Sequence, residues 1–169
     1  IGFRITTNLD AIEVDFNTIE AASFANPSPI PVNVSKAADV LTYVSAGNIS
    51  GTVGSTYIEA YLYGLGTQNA AVGLGATGQA APYVSSATLR TYDGTNVVQG
   101  GVAIINTMYK VASAWGASTL AQSVNGAAAV TGAFDGDMNV GASIFIGSDI
   151  SSSSNWFGTI RNARIWPVA

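Results

Sequence analysis

Between residues 55 and 63 the chain reads STYIEAYLY, with Ile58, Ala60 and Leu62 on one side of a period-two alternation and Tyr57, Glu59, Tyr61 and Tyr63 on the other. Successive side chains of a strand point to opposite faces, so this run predicts a strand with one buried and one solvated face. The period recurs. In YVSSATLRTYD (83–93) Ala87 and Leu89 fall opposite Arg90 and Tyr92, and in YKVASAW (109–115) Tyr109, Val111 and Trp115 fall opposite Lys110. Further strands are predicted at SIFIG (143–147) and through WFGTIRNARIW (156–166), where Ile160 and Ala163 break the alternation before Ile165 and predict a bulge near Arg161 and Asn162. Asp93-Gly94 follows one strand, and Asn125-Gly126 joins TLAQSV to AAAVT as a tight hairpin, because these dipeptides supply the positive φ values such turns need. No segment has the period of a long helix. Many short strands separated by Gly-rich turns predict an all-β fold, a two-sheet antiparallel β-sandwich.

Proline divides the chain. ANPSPIPVNVS (25–35) holds three of the five prolines and cannot sustain a ladder, so it reads as an extended linker. The expected organisation is a terminal strand of a preceding domain or an N-terminal arm over 1–24, the Pro-rich linker over 25–35, and the sandwich over 36–169. The chain opens at Ile1 without a methionine, so a piece of a longer polypeptide is expected. SDISSSSN (148–155) reads as a polar loop at the sandwich edge.

Composition changes the picture of the surface. Of 169 residues 48% are hydrophobic and only 9% charged, against about 25% charged in an ordinary domain. A surface so poor in charge is suited to cover by neighbouring subunits, which predicts a homo-oligomer; the alternative is a secreted or marine protein with a neutral Ser/Thr exterior. With a net charge of −4 and six scattered basic residues there is no footprint for a nucleic-acid backbone. No apolar run is long enough for a membrane helix. Absent cysteine and histidine remove disulfides, thiolate metal sites, a Ser-His-Asp triad and a cysteine nucleophile, so no enzyme activity and no cofactor are expected.

Three motifs invite chemistry and are each better read without it. AIEVDFNTIE (11–20) gathers Glu13, Asp15 and Glu20, and glucanases of the laminarinase type carry Glu-x-Asp-x-Glu or Glu-x-Asp-x-x-Glu on one strand. The third position here is Asn17 or Thr18, so the acid/base is missing. GLGATG (73–78) satisfies Gly-x-Gly-x-x-Gly, with Asp93 about twenty residues on, but Pro82 and an alternating strand follow where a dinucleotide loop must open a helix. Asp135, Asp137 and Asp149 could supply calcium oxygens, yet Asp-Gly-Asp between strands is more often a turn, and no metal is expected. Trp115, Trp156 and Trp166 fall in alternating strands and are read as core ahead of sugar-stacking platforms.

The ordered series AADVLTY (37–43), STYIEAYLY (55–63), MYKVASAW (108–115), Val-Asn-Gly (124–126), IFIGS (144–148) and FGTIRNARIWP (157–167) resembles the concanavalin A-like, laminin-G-like jelly-roll domains of bacteriophage virion proteins. The resemblance covers residues 33–169, and the stretch from Ile19 to Pro31 is similar to the junction that precedes such domains. It implies a jelly roll acting as a non-enzymatic structural component of a virion, in a fibre, tail appendage or capsid decoration. A homotrimer on the virion surface, in contact with other virion proteins, goes with it. The alternative it implies is a glycan-binding, lectin-like module for host-surface attachment, with Tyr61, Tyr63, Tyr92 and Trp115 as candidate sugar contacts. A glycoside hydrolase or lyase is the remaining reading.

Overall fold

The computed structural model describes residues 41–75, 80–149 and 154–167. The expected arm (1–24), the linker (25–35) and the acidic run with Glu13, Asp15 and Glu20 lie outside the described residues. So do 76–78 of the glycine-rich motif.

Among the described residues the chain forms β1 (Leu41–Val44), β2 (Gly54–Leu62), β3 (Gln68–Ala70), β4 (Val72–Gly75), β5 (Ala80–Ser85) and β6 (Thr88–Tyr92), then β7 (Val97–Val102), β8 (Thr107–Gly116), β9 (Thr119–Val124), β10 (Val130–Ala133), β11 (Val140–Ile146) and β12 (Gly158–Trp166). One sheet runs β1-β11-β4-β5-β6-β7, with β3 also pairing β5, and the other runs β10-β9-β8-β2-β12. The ladders are antiparallel. A single parallel bridge joins Ala70 to Asn155. This is the all-β antiparallel sandwich that the alternation predicts, of jelly-roll-like architecture.

Strand β2 shows why these residues make this structure. Its inward series Thr56, Ile58, Ala60 and Leu62 is buried, while Ser55, Tyr57, Glu59 and Tyr61 are half-buried on the outer face. Ile58 and Leu62 join Val72, Leu74, Val84, Leu89, Val111, Trp115, Leu120 and Ile144 in one core filled from both sheets. Each large aliphatic side chain so buried contributes about 1.5–3 kcal/mol. Polar links cross the same interlayer: Thr56 Oγ1 donates to the Ala81 carbonyl at 2.8 Å, and Thr91 Oγ1 donates to Ser113 Oγ at 2.7 Å.

Turn chemistry divides into predicted and unpredicted cases. Asn125 (φ 54°) and Gly126 (φ 78°) form the expected hairpin turn, closed by the Ala127 amide donating to the Val124 carbonyl at 3.0 Å. Asp93 caps the turn after β6 by accepting from the amides of Thr95 (2.8 Å) and Asn96. The run 83–93, however, is two strands: Ser86 (φ 49°) and Ala87 (φ 54°) make a two-residue hairpin between β5 and β6. Neither residue type announces a left-handed turn. Gly73 and Gly75 lie within β4, so the first half of the glycine-rich motif is strand. Of the polar loop expected at the sandwich edge, 150–153 lie outside the described residues; its described start packs against β4, where a Cβ on Gly73 would meet the Ser148 carbonyl at 2.6 Å, and Ser148, Asp149 and Ser154 are buried.

Candidate functional site

The outer face of the five-stranded sheet is built in rows set by strand register. Trp166, Ser55 and Ala114 lie side by side, then Arg164, Tyr57 and Ala112, then Arg161, Glu59 and Lys110, then Thr159, Tyr61 and Met108. Alternate residues along a strand are about 7 Å apart and neighbouring strands about 4.8 Å, so these rows make a platform roughly 20 Å long. Its floor beside β2 is small side chains, Ala112 and Ala114, between aromatic and charged ones.

A bulge in β12 decides which charges reach the platform. Register shifts between Arg161, paired with Glu59, and Arg164, paired with Tyr57, so that Asn162 and Ala163 together oppose the single residue Ile58. Three residues apart on a regular strand, the two arginines would point to opposite faces; the extra residue puts both outward. Asn162 adopts φ 52° there. The bulge expected near Arg161 and Asn162 is present, and its consequence is a cationic pair on one face.

Glu59 is the centre of this row. It accepts from Asn162 Nδ2 at 2.8 Å and from the Tyr57 hydroxyl at 2.9 Å, and its carboxylate lies 3.4 Å from Arg161 Nε. The hydrogen bonds from Asn162 and Tyr57 hold the Glu59 carboxyl below its ordinary value; partial desolvation opposes them, and the charges of Lys110 and Arg161 reinforce them. The Tyr57 hydroxyl moves up, first through desolvation and then through its bond to Glu59, with Arg164 acting the other way. A carboxylate so held orients Arg161, whose side chain is still 66% exposed.

At one end of the platform the aromatic rings gather. Tyr61 and Tyr63 lie 4.8 Å apart, centroid to centroid, at 50° to each other. The Tyr63 amide donates to the Phe157 carbonyl at 2.7 Å, and the side chains of Tyr63 (58%) and Phe157 (52%) are exposed. The segment carrying Phe157 is anchored from below by Trp156, whose buried indole donates Nε1–H to the Tyr61 carbonyl at 3.1 Å. Large apolar rings held in water by a rigid backbone suit stacking on another surface.

The four residues singled out from sequence separate. Tyr61 and Tyr63 share this platform. Tyr92 lies on the outer face of the other sheet, 6.4 Å from the Tyr83 ring. Trp115 is 1% exposed, with its indole Nε1 donating to the Ser50 carbonyl at 3.0 Å, so it has no ring face open to a sugar. Trp156 is also core, whereas Trp166 is exposed on the platform. Glu59, Arg161, Arg164, Lys110 and Phe157 were not picked out as site residues. Alternation alone puts Glu59 beside Tyr57 and Tyr61, but nothing local says that β12 pairs there.

Asp135 and Asp137 serve backbone amides, of Asp137 at 3.2 Å and Asn139 at 2.8 Å respectively, while Asp149 accepts from the Ser154 amide at 3.2 Å. Among the described residues no group of three or more acidic side chains is placed to hold a metal ion, and no helix is long and apolar enough to cross a membrane. On the open side of the sandwich a cavity of about 460 Å³ lies between Ile144 and Ile146 of β11 and Ile160 and Ile165 of β12.

No family model and no curated protein sequence matches the chain. Solved structures do. Domains LG4-5 of the mouse laminin α1 chain superpose with a TM-score of 0.56 at 12% identity, over 77% of this chain and 39% of that one. The CBM40 domain of the Ruminococcus gnavus IT-sialidase, bound to α2,3-sialyllactose, gives 0.55 at 9% identity over 73% and 79%. Tailspike protein 2 of the Escherichia coli O157:H7 bacteriophage CAB120 gives 0.52 at 12% identity over 78% and 22%. The chain thus spans well under half of the laminin and tailspike chains. At these identities the likeness is one of fold, a lectin- or jelly-roll-like all-β sandwich.

Proposed function

We propose that the chain is a carbohydrate-binding, lectin-like module that holds sugar on the outer face of its five-stranded sheet. The observation that carries this reading is the platform itself: Tyr63 and Phe157 exposed and Tyr61 half-buried at one end, with fixed polar groups on Tyr57, Glu59 and Asn162 beside them. Sugar sites combine an apolar ring face, for stacking, with a few oriented donors and acceptors. The concanavalin A-like resemblance and the CBM40 neighbour, itself bound to a sialylated sugar, support a carbohydrate role on this fold. The module is non-enzymatic in this reading. Glycosidases usually work with two carboxyl groups flanking the bond, and among the described residues the platform carries the single carboxylate of Glu59.

A glycan array, run with and without calcium, tests the proposal. Binding by the wild type, weakened about three- to tenfold by Tyr63→Ala and by Phe157→Ala, is the expected result. A blank array in both conditions overturns it.

A second reading places the module in a bacteriophage particle, as part of a fibre, tail appendage or capsid decoration. The tailspike neighbour supports it, and so do the exposed Leu41, Tyr43 and Val44 of β1, a strand paired on one side only among the described residues and suited to subunit contact in a homotrimer. Sedimentation as a monomer at micromolar concentration would count against the trimer. The two readings are compatible, because an attachment module can also be a virion part.

A further inference from the structure

Charge is distributed unevenly over this protein. The sequence sums to −4, yet three of the four described basic residues, Lys110, Arg161 and Arg164, stand on the platform, the fourth being Arg90 of β6 on the other sheet. Against them, among the described residues, the platform sets one carboxylate, Glu59; Asp93, Asp135, Asp137 and Asp149 lie in turns and connections off its strands. Three cations less one carboxylate leave an excess of two positive charges on this face.

That excess has geometry. Arg161 and Arg164 occupy successive outward positions of β12, about 7 Å apart, and Lys110 lies two strands from Arg161, about 10 Å across. Glu59 sits between Arg161 and Lys110 and engages the Arg161 Nε, which fixes that guanidinium while most of its side chain stays in solvent. Arg164 stands one row away beside the Tyr57 ring. A lone Glu59 neutralises one of the three; the others face water next to aromatic rings. Guanidinium groups match carboxylates in a planar two-point fork, whereas neutral hydroxyls gain far less from them.

Resting on the carbohydrate reading above, we infer that the sugar recognised is acidic: a glycan carrying carboxylate groups, whose rings stack at Tyr61, Tyr63 and Phe157 and whose carboxylates are met by Arg164, Arg161 and Lys110. The excess charge is too small and too local for a polyanion in general, so charge alone does not suffice and ring stacking is required.

Titration calorimetry with polygalacturonate, hyaluronan and polysialic acid, each beside its carboxyl-reduced form, tests the inference. At least one acidic form should bind ten or more times tighter than its reduced counterpart. Arg164→Gln and Lys110→Gln should each weaken that binding about fivefold to tenfold, and added salt should weaken it further. Both variants are at exposed positions, and unchanged circular dichroism melting confirms their fold. Equal binding of acidic and reduced forms overturns the inference while leaving the carbohydrate reading intact, as does an array that lights only with neutral sugars. Failure of all three acidic forms to bind, or equally tight binding of a single-stranded oligonucleotide, also overturns it. A blank array removes both.

Discussion

Gln122 of β9 and Thr91 of β6 belong to different sheets, and the Gln122 Nε2 donates to Thr91 Oγ1 at 3.0 Å across the interior. The other end of the same amide accepts from the Gly100 amide of β7 at 2.8 Å, and Thr91 in turn donates to Ser113 of β8. One side chain, 1% exposed, thereby ties three strands and fixes how the layers register. A purely apolar interlayer could slide; a satisfied polar chain within it penalises every displaced arrangement.

Replacing Gln122 with Leu keeps the volume and removes both bonds, leaving the half-buried Gly100 amide without its partner. The expected cost is about 2–4 kcal/mol, read as a lower urea midpoint at unchanged slope. A loss below about 0.5 kcal/mol would show that water or a shifted neighbour satisfies the amide, and the registering role would fall.

How much of this was legible in the chain depends on what each residue type announces. Asn125-Gly126 gave away its hairpin because both types tolerate positive φ, and the broken alternation at Ile160–Ala163 gave away the bulge. Ser86-Ala87 did not, since its left-handed geometry is imposed by the pairing of β5 with β6 and not by local preference. Trp115 illustrates a different limit. Alternation sorts residues into two faces but does not name the wet one, and in a chain so poor in charge the flanking Ala112 and Ala114 give no contrast; in the fold the small residues face out and the indole faces in. The Glu59–Arg161 pair joins residues about a hundred positions apart, and only strand pairing brings them together.

Gly158 is fixed by proximity, not by φ. A Cβ there would fall 1.7 Å from the Tyr61 carbonyl oxygen, an approach backbone cannot concede without separating β12 from β2. Gly158→Ala is expected to cost at least about 3 kcal/mol in thermal or urea unfolding. Gly126→Ala, where the space is open but φ is 78°, is the comparison and should cost about 1 kcal/mol. A smaller loss at Gly158 than at Gly126 would contradict the close approach.

Asp93 links stability to pH. Burial alone would raise its carboxyl, but donors from Asn96, Thr95 and Asp135 outweigh that and bring it below the ordinary 3.8. A depressed carboxyl contributes stability that is complete above the unfolded value and is lost as pH falls through the folded one. The urea midpoint should therefore hold from neutrality to about pH 5 and decline below pH 3.8, the decline being shallower in Asp93→Asn. At neutral pH the same variant should be about 1–3 kcal/mol less stable, because an amide supplies one acceptor oxygen where the carboxylate supplies two. Parallel acid profiles for wild type and variant would assign the pH dependence to other carboxyls.

The β12 bulge makes a paired prediction. Because Asn162 and Ala163 together oppose Ile58, deleting either one restores a regular ladder with Arg161 still opposite Glu59 and Arg164 still opposite Tyr57. The two deletions differ in what then faces inward beside Ile58, which is fully buried. Removing Asn162 turns a methyl group inward and relieves a left-handed residue, so stability should change by less than about 1 kcal/mol. Removing Ala163 turns a carboxamide toward the apolar wall of the open cavity formed with Ile144, Ile160 and Ile165 and should cost about 1 kcal/mol more than removing Asn162. Deleting Asn162 also takes away the first hydrogen bond holding Glu59 down, so its carboxyl should titrate higher, as carbon-detected NMR of the side chain would register. Equal destabilisation by both deletions would mean that the extra residue itself, and not the side chain it turns outward, is what β12 requires.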